Sequence, residues 1–178
     1  MNPTTAVLEE RCAELEGGIA ALGLSAGSAA VNYAILTIAE AGANIVTVPR
    51  LYGGTYTLFK HMLPKLGIEV RFAEDDRAES LARHIDDKTA AVFCETIGNP
   101  AGNIVDLEAV ANVAHERGTP LMVDNTVATP AITKPISWGA DIVVDSLTKY
   151  MAGHGNALGG VIVDAGNFPW AEHSSKYP

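Results

Sequence analysis

Two hydrophobic patterns alternate along this chain. Short runs such as AAVFC, PLMV and DIVV are apolar at every position. Longer runs carry apolar residues at helical spacing. The short runs predict strands at Ile19–Leu24, Asn44–Val48, Glu69–Ala73, Ala90–Cys94, Leu121–Asp124, Ile142–Asp145 and Ala157–Val163. The longer ones predict helices at Ser28–Ala41, Thr55–Leu66, Arg77–Ile85 and Leu107–Arg117. A further helix opens the chain: Asn2 can cap it, Pro3 suits its first position, and Gly17-Gly18 follow its end. Val7, Leu8, Cys12 and Leu15 are expected to form its buried face. Strands apolar on both sides need cover on both sides, so the expected fold is α/β, a mostly parallel sheet with helices on both faces. Only the stretch from Asp124 to Asp141, broken by Pro130 and Pro135, is irregular. Residues 1–178 read as one domain without linker or repeat.

In such sheets ligands gather at the carboxyl ends of the strands. No GxGxxG follows the first strand and no GxxxxGK[ST] occurs, so nucleotide readings lose their main support. SAGSAA, with Gly27 and Ser28, enters a helix; it is either a tight turn or a phosphate cradle of free N–H groups. Asp124 ends the strand PLMVD and either caps the next turn or meets a cation. Lys149, in DSLTKYMAGHGN, is either a solvated surface group or a Schiff-base lysine whose amine is freed by desolvation. Ser146 and Thr148 beside it can cap the turn or donate to a phosphate. Tyr52 in LYGGTY can pack on a helix or cover a flat ligand, and Asn99 in GNPAGN can mark a turn or face a ligand. His154 reads as a loop histidine rather than a base.

Composition narrows the partners. With 12 Lys and Arg against 21 Asp and Glu, the net charge is −9, which disfavours nucleic acid and anionic membrane surfaces. Residues 17–39 are uncharged, yet Gly/Ser breaks divide them into a buried strand, a turn and a buried helix rather than a membrane span. No signal peptide is expected. Cys12 and Cys94 cannot build a disulfide framework, so a reducing, cytoplasmic setting is expected, and no cysteine–histidine cluster suggests a metal.

A phosphate cradle, an aromatic plate, a carboxylate and an amine at the strand ends of one sheet are what pyridoxal phosphate needs. NPTTAVLEERCAELEGG, LYGGTY, ETIGNPAGNIVDLEAVANVAHERG, VDNTVATP and DSLTKYMAGHGNALGG resemble the large cofactor-binding domain of the Cys/Met-metabolism family of fold-type I pyridoxal-phosphate enzymes. The stretch TKYMAGHGNALGGVIVDAGNFPW resembles its O-acetylhomoserine sulfhydrylase branch more than its lyases.

The resemblance implies the rest. The reaction would be γ-replacement: O-acetylhomoserine with sulfide or a small thiol gives homocysteine or methionine and acetate. The alternatives are a γ-lyase or a catalytically incompetent cofactor-binding fragment. Lys149 would be the Schiff-base lysine and proton shuttle, Asp124 the partner of the pyridine nitrogen, and Tyr52 the stacking residue that assists departure of the γ-substituent. Gly27, Ser28, Ser146 and Thr148 would hold the phosphate, Asn99 would sit near the ring hydroxyl, and Thr126 beside the cofactor. Family members form dimers or tetramers, so a homo-oligomer is expected. The family's Tyr-x-Arg motif before NPT and its C-terminal domain with a carboxylate-binding arginine have no counterpart in these residues. A truncated chain with little turnover of its own is therefore the expectation.

Overall fold

The computed structural model describes residues 2–177. Its centre is a seven-stranded sheet in the order β1-β7-β6-β5-β4-β2-β3. The strands are β1 (Ala20–Leu24), β2 (Asn44–Thr47), β3 (Glu69–Phe72), β4 (Thr89–Glu95), β5 (Leu121–Asp124), β6 (Ile142–Asp145) and β7 (Gly160–Asp164). Strands β2 to β6 are mutually parallel; β7 runs antiparallel to β6 and to β1. Every residue of β2, β4 and β6 is buried, which requires cover on both faces. The helices are α1 (Pro3–Glu16), α2 (Gly27–Ile38), α3 (Gly53–Thr57), α4 (Ala78–Ala82), α5 (Leu107–His115) and α6 (Thr129–Ile132). The expected α/β layering is thus present. No helix among the described residues is long and apolar enough to cross a membrane.

The local signals at α1 act as expected. Asn2 accepts from the Thr4 amide at 2.9 Å, and Gly17 at φ +85° sends its N–H to Ala13 O. The expected face does not. Val7, Leu8 and Leu15 are 52%, 44% and 50% exposed, while Cys12, Ala13 and Glu16 are buried. α1 packs on β1 and β7 through this narrow row of small residues, and its last carboxylate enters a polar network. The first strand also departs from expectation. β1 lies at the sheet edge, with Leu22 more than half exposed. The run expected as one helix over Thr55–Leu66 is three pieces: α3, a wider turn at Leu58–Met62 and a tight turn at Leu63–Leu66 containing Pro64. The helix expected over Arg77–Ile85 shortens to α4, and the last strand begins at Gly160 rather than Ala157.

Beneath the strand ends, Phe59 and Phe93 meet edge to face at 5.0 Å. The Gly-Asn-Phe-Pro-Trp segment closes the opposite end of the sheet. Phe168 and Trp170 pack on Tyr177, whose hydroxyl donates to Ala90 O at the start of β4. The segment that marks the branch in the sequence is therefore remote from the carboxyl ends.

Candidate active site

A cleft of about 600 Å³ opens at the carboxyl ends of β4, β5 and β6. All nine residues singled out from the sequence line it: Gly27, Ser28, Tyr52, Asn99, Asp124, Thr126, Ser146, Thr148 and Lys149. They come from five separate chain segments, and sheet topology is what unites them.

α2 begins at the cleft without a side-chain cap, so its first amides and the positive end of its dipole stay available to an anion. Gly27 packs directly on Ser146: a Cβ there would lie 2.5 Å from Ser146 Cβ. The Ser146 amide donates to Thr126 Oγ1 at 2.8 Å, tying the β6 end to the β5 end. Thr148 closes the lysine loop on itself, its hydroxyl donating to Gly159 O at 3.2 Å and accepting from Gly159 N at 3.1 Å. That engagement leaves it a weaker anion donor than Ser146, contrary to the equal weight given to the two in the sequence.

Asp124 Oδ1 accepts from the Thr126 amide at 3.0 Å. Burial raises the Asp124 pKa, and the Thr126 bonds pull it back. Lys149 sits on the turn after β6, with its amide donating to Ser146 O at 3.0 Å. Its side chain is exposed and has no ion pair among the described residues. The expected desolvation of this amine is therefore absent, because the glycine-rich loop beyond it leaves the cleft open. His154 is also exposed, its Nδ1 2.8 Å from Ala152 O, and it does not line the cleft.

Sequence reasoning missed Glu95. It ends β4 beside Asp124, its register partner on β5, and is only 4% exposed. One carboxylate oxygen accepts from the Tyr52 amide at 2.5 Å and the other from the Asn99 amide at 3.0 Å. This single side chain fixes the two loops that carry the aromatic plate and the Asn99 amide. Burial and the nearby Asp124 charge push its pKa up to about 7, although the two amides oppose the shift. The signal was available: an acidic residue closing an otherwise apolar strand, as Asp124 does.

The model of the Cys/Met metabolism PLP-dependent enzymes matches residues 1–177. This chain belongs to that family. Pyridoxal phosphate is the family's cofactor, as the sequence implied. The chain is 51% identical to homocysteine synthase of Schizosaccharomyces pombe, over all of this chain and 42% of that protein. It is 52% identical to O-acetyl-L-homoserine sulfhydrylase 1 of Thermus thermophilus, again over all of this chain and 42% of the relative. Among solved structures, a Campylobacter jejuni protein provisionally assigned as an O-acetylhomoserine (thiol)-lyase superposes with a TM-score of 0.91 at 40% identity. That match covers 94% of this chain and 41% of the other, which contains an N'-pyridoxyl-lysine-5'-monophosphate. The chain spans about two fifths of the length of the curated relatives it matches.

Proposed function

We propose that this chain is the cofactor-holding large domain of a transferase that exchanges the γ-substituent of O-acetylhomoserine for sulfide or a small thiol. Homocysteine or methionine and acetate are the products. The observation that carries this reading is the convergence of the uncapped α2 start, Ser146, Asp124 and Lys149 on one cleft, in a chain about half identical to relatives named for that reaction.

The donor set fits the cofactor. Amides of Gly27 and Ser28, with the Ser146 hydroxyl, suit a phosphate dianion, and no Cβ at position 27 fills the cradle. Asp124 can hold a proton on a ring nitrogen, since only Thr126 donates to its carboxyl among the described residues. The Lys149 side chain lines the cleft with no ion-pair partner among the described residues, and its amine, once deprotonated, can attack a carbonyl carbon. Bound there, pyridoxal phosphate supplies an electron sink for negative charge beside the substrate amine.

The remaining work falls to side chains. Lys149 Nζ would carry protons to and from the substrate α-carbon and remove one from the β-carbon. The Tyr52 ring covers one face of the cleft, and its hydroxyl assists departure of the γ-substituent. The Asn99 side chain would sit near the ring hydroxyl of the bound cofactor, while Thr126 holds the β6 end through the Ser146 amide and Thr148 keeps the lysine loop closed. Glu95 orients Tyr52 and Asn99 through their amides.

We place this chemistry in the cytoplasm, where buried, unpaired Cys12 and Cys94 stay reduced. We also propose a homo-oligomer, with the exposed row of Val7, Leu8 and Leu15 on α1 as one buried face. The test is the product mixture from cofactor-loaded protein given O-acetylhomoserine with and without sulfide, read by mass spectrometry so that slow turnover registers. Homocysteine formed only with sulfide supports γ-replacement. 2-Oxobutyrate and ammonia as the main products in both samples would assign γ-elimination instead.

A further inference from the structure

Behind the cleft lie two acids with no task in the reaction proposed above. Glu16 ends α1 and Asp145 ends β6, and they are 0% and 1% exposed. Asn125 brings them together: its side chain holds Glu16, and its amide donates at 2.9 Å to Val144 O, next to Asp145, so that each carboxyl group acts on the other. Glu16 Oε1 accepts from Asn125 Nδ2 at 2.9 Å. No donor group of the described residues reaches Glu16 Oε2 or either oxygen of Asp145. The charges around them offer no substitute. Cys12 on the same helix is a thiol, Asp124 on β5 adds negative charge, and Lys134 after α6 acts on Glu16 only through space. Two ionised carboxylates buried side by side, with no paired cation among the described residues, would face both desolvation and mutual repulsion. One proton must therefore stay between them, as an O–H of one acid donating to the other.

We propose that Glu16 and Asp145 share one proton as an acid–carboxylate pair, and that this pair positions Asp124 and Ser146 from behind the sheet. The positioning half rests on the cofactor reading above; the proton-sharing half stands without it. The mechanical links are short. Asp145 is the chain neighbour of Ser146, whose amide is held by Thr126 Oγ1. Glu16 grips Asn125, which lies between Asp124 and Thr126 in the chain. Asn125 Nδ2 also donates to Thr133 O at 3.0 Å, and its Oδ1 accepts from the Thr96 hydroxyl at 2.8 Å. Thr96 directly follows Glu95. One buried network thus holds the ends of β4, β5 and β6 in register beneath the cleft.

The pair also sets a direction with pH. Burial, then the Glu16 and Asp124 charges, push Asp145 up to about 9, and burial raises Glu16 as well. The folded chain then holds the proton more tightly than the unfolded one. The stabilisation is complete below the ordinary carboxylate value of about 4, declines as pH rises, and is gone above about 9.

The test compares wild-type chain, Asp145→Asn and Glu16→Gln. Each variant replaces the shared proton by a permanent amide donor of the same shape. Without cofactor, the wild-type melting temperature is expected to fall between pH 7 and pH 9.5. Both variants should flatten that fall, and the infrared carbonyl band of buried carboxylic acids at pH 7 should be weaker in Asp145→Asn than in wild type, the remainder coming from Glu95. With pyridoxal 5'-phosphate, the wild-type dissociation constant should rise at least tenfold more than that of either variant over the same range. Coincident melting profiles, or acid bands of equal strength in wild type and Asp145→Asn, would overturn proton sharing. Flattened melting with unchanged pH dependence of cofactor affinity would overturn positioning. If Asp145→Asn does not fold, Glu16→Gln decides both points. If no cofactor binds to wild type at any pH, the proposed function fails while the melting data still judge the pair.

Discussion

The strand ends of β4, β5 and β6 present acids to both faces of the sheet, and the two faces put the same functional group to different use. On the cleft face, Glu95 and Asp124 each accept from backbone amides and border an open cavity. On the rear face, buried Asp145 and Glu16 have, among the described residues, no paired cation and a single side-chain donor, Asn125. The first environment ties Glu95 to two loop amides and leaves Asp124 facing the cavity. The second forces a proton to be retained. Successive strand residues point to opposite faces, so Asp124 and Asn125, or Asp145 and Ser146, are separated by one peptide yet belong to different chemistry.

The comparison can be broken most severely at Asn125. It carries hydrogen bonds to Thr96, Glu16 and Thr133 while fully buried. Asn125→Ala should cost about 3 kcal/mol of stability, since several buried partners are orphaned at once. Urea titration would measure it, and a loss near zero would mean that the rear network holds little. On the cleft face, Asp124→Ala should leave the fold intact but weaken pyridoxal phosphate by about 2 kcal/mol, the scale of one charge-assisted bond. An unchanged cofactor titration would assign the ring nitrogen to another group.

The two faces were unequally legible in the sequence. The strands announced themselves by runs apolar on both sides, and the strand-end rule, together with the resemblance that added Thr126, pointed to nine residues that the sheet brings to the cleft. The rear face was invisible because its bonds are long-range: Glu16 meets Asn125 across 109 residues. Helical periodicity also misled at α1. It counts large apolar residues, whereas this helix buries Cys12, Ala13 and Glu16 and leaves its leucines outside. Glu95 was missed because its ligands are backbone amides of loops, which no side-chain motif records.

Smaller effects sharpen the contrast. Glu95, pushed up to about 7 by burial, holds its proton more tightly when folded. Its stabilisation is therefore complete below about 4 and fades as pH rises through about 7. Glu95→Gln should remove that part of the pH profile of thermal stability, and a profile identical to wild type near neutrality would deny Glu95 this proton. The smallest change is expected far from the cleft, at His115. Its Nε2 lies 2.7 Å from buried Asp141, which raises the His115 pKa. The pair therefore stabilises most below the ordinary histidine value of about 6.5 and less as pH climbs through the raised one. His115→Gln should lower the melting temperature slightly at pH 6 and hardly at pH 9, and an equal loss at both would remove the charge from the explanation.

The account turns on Lys149, the amine of the cleft face. The most direct measurement is borohydride reduction of the chain loaded with pyridoxal 5'-phosphate, followed by peptide mapping. The pyridoxyl group should be found on Lys149, in the peptide containing DSLTKY. A label on Lys60, Lys65 or Lys134, with Lys149 unmodified, would contradict it.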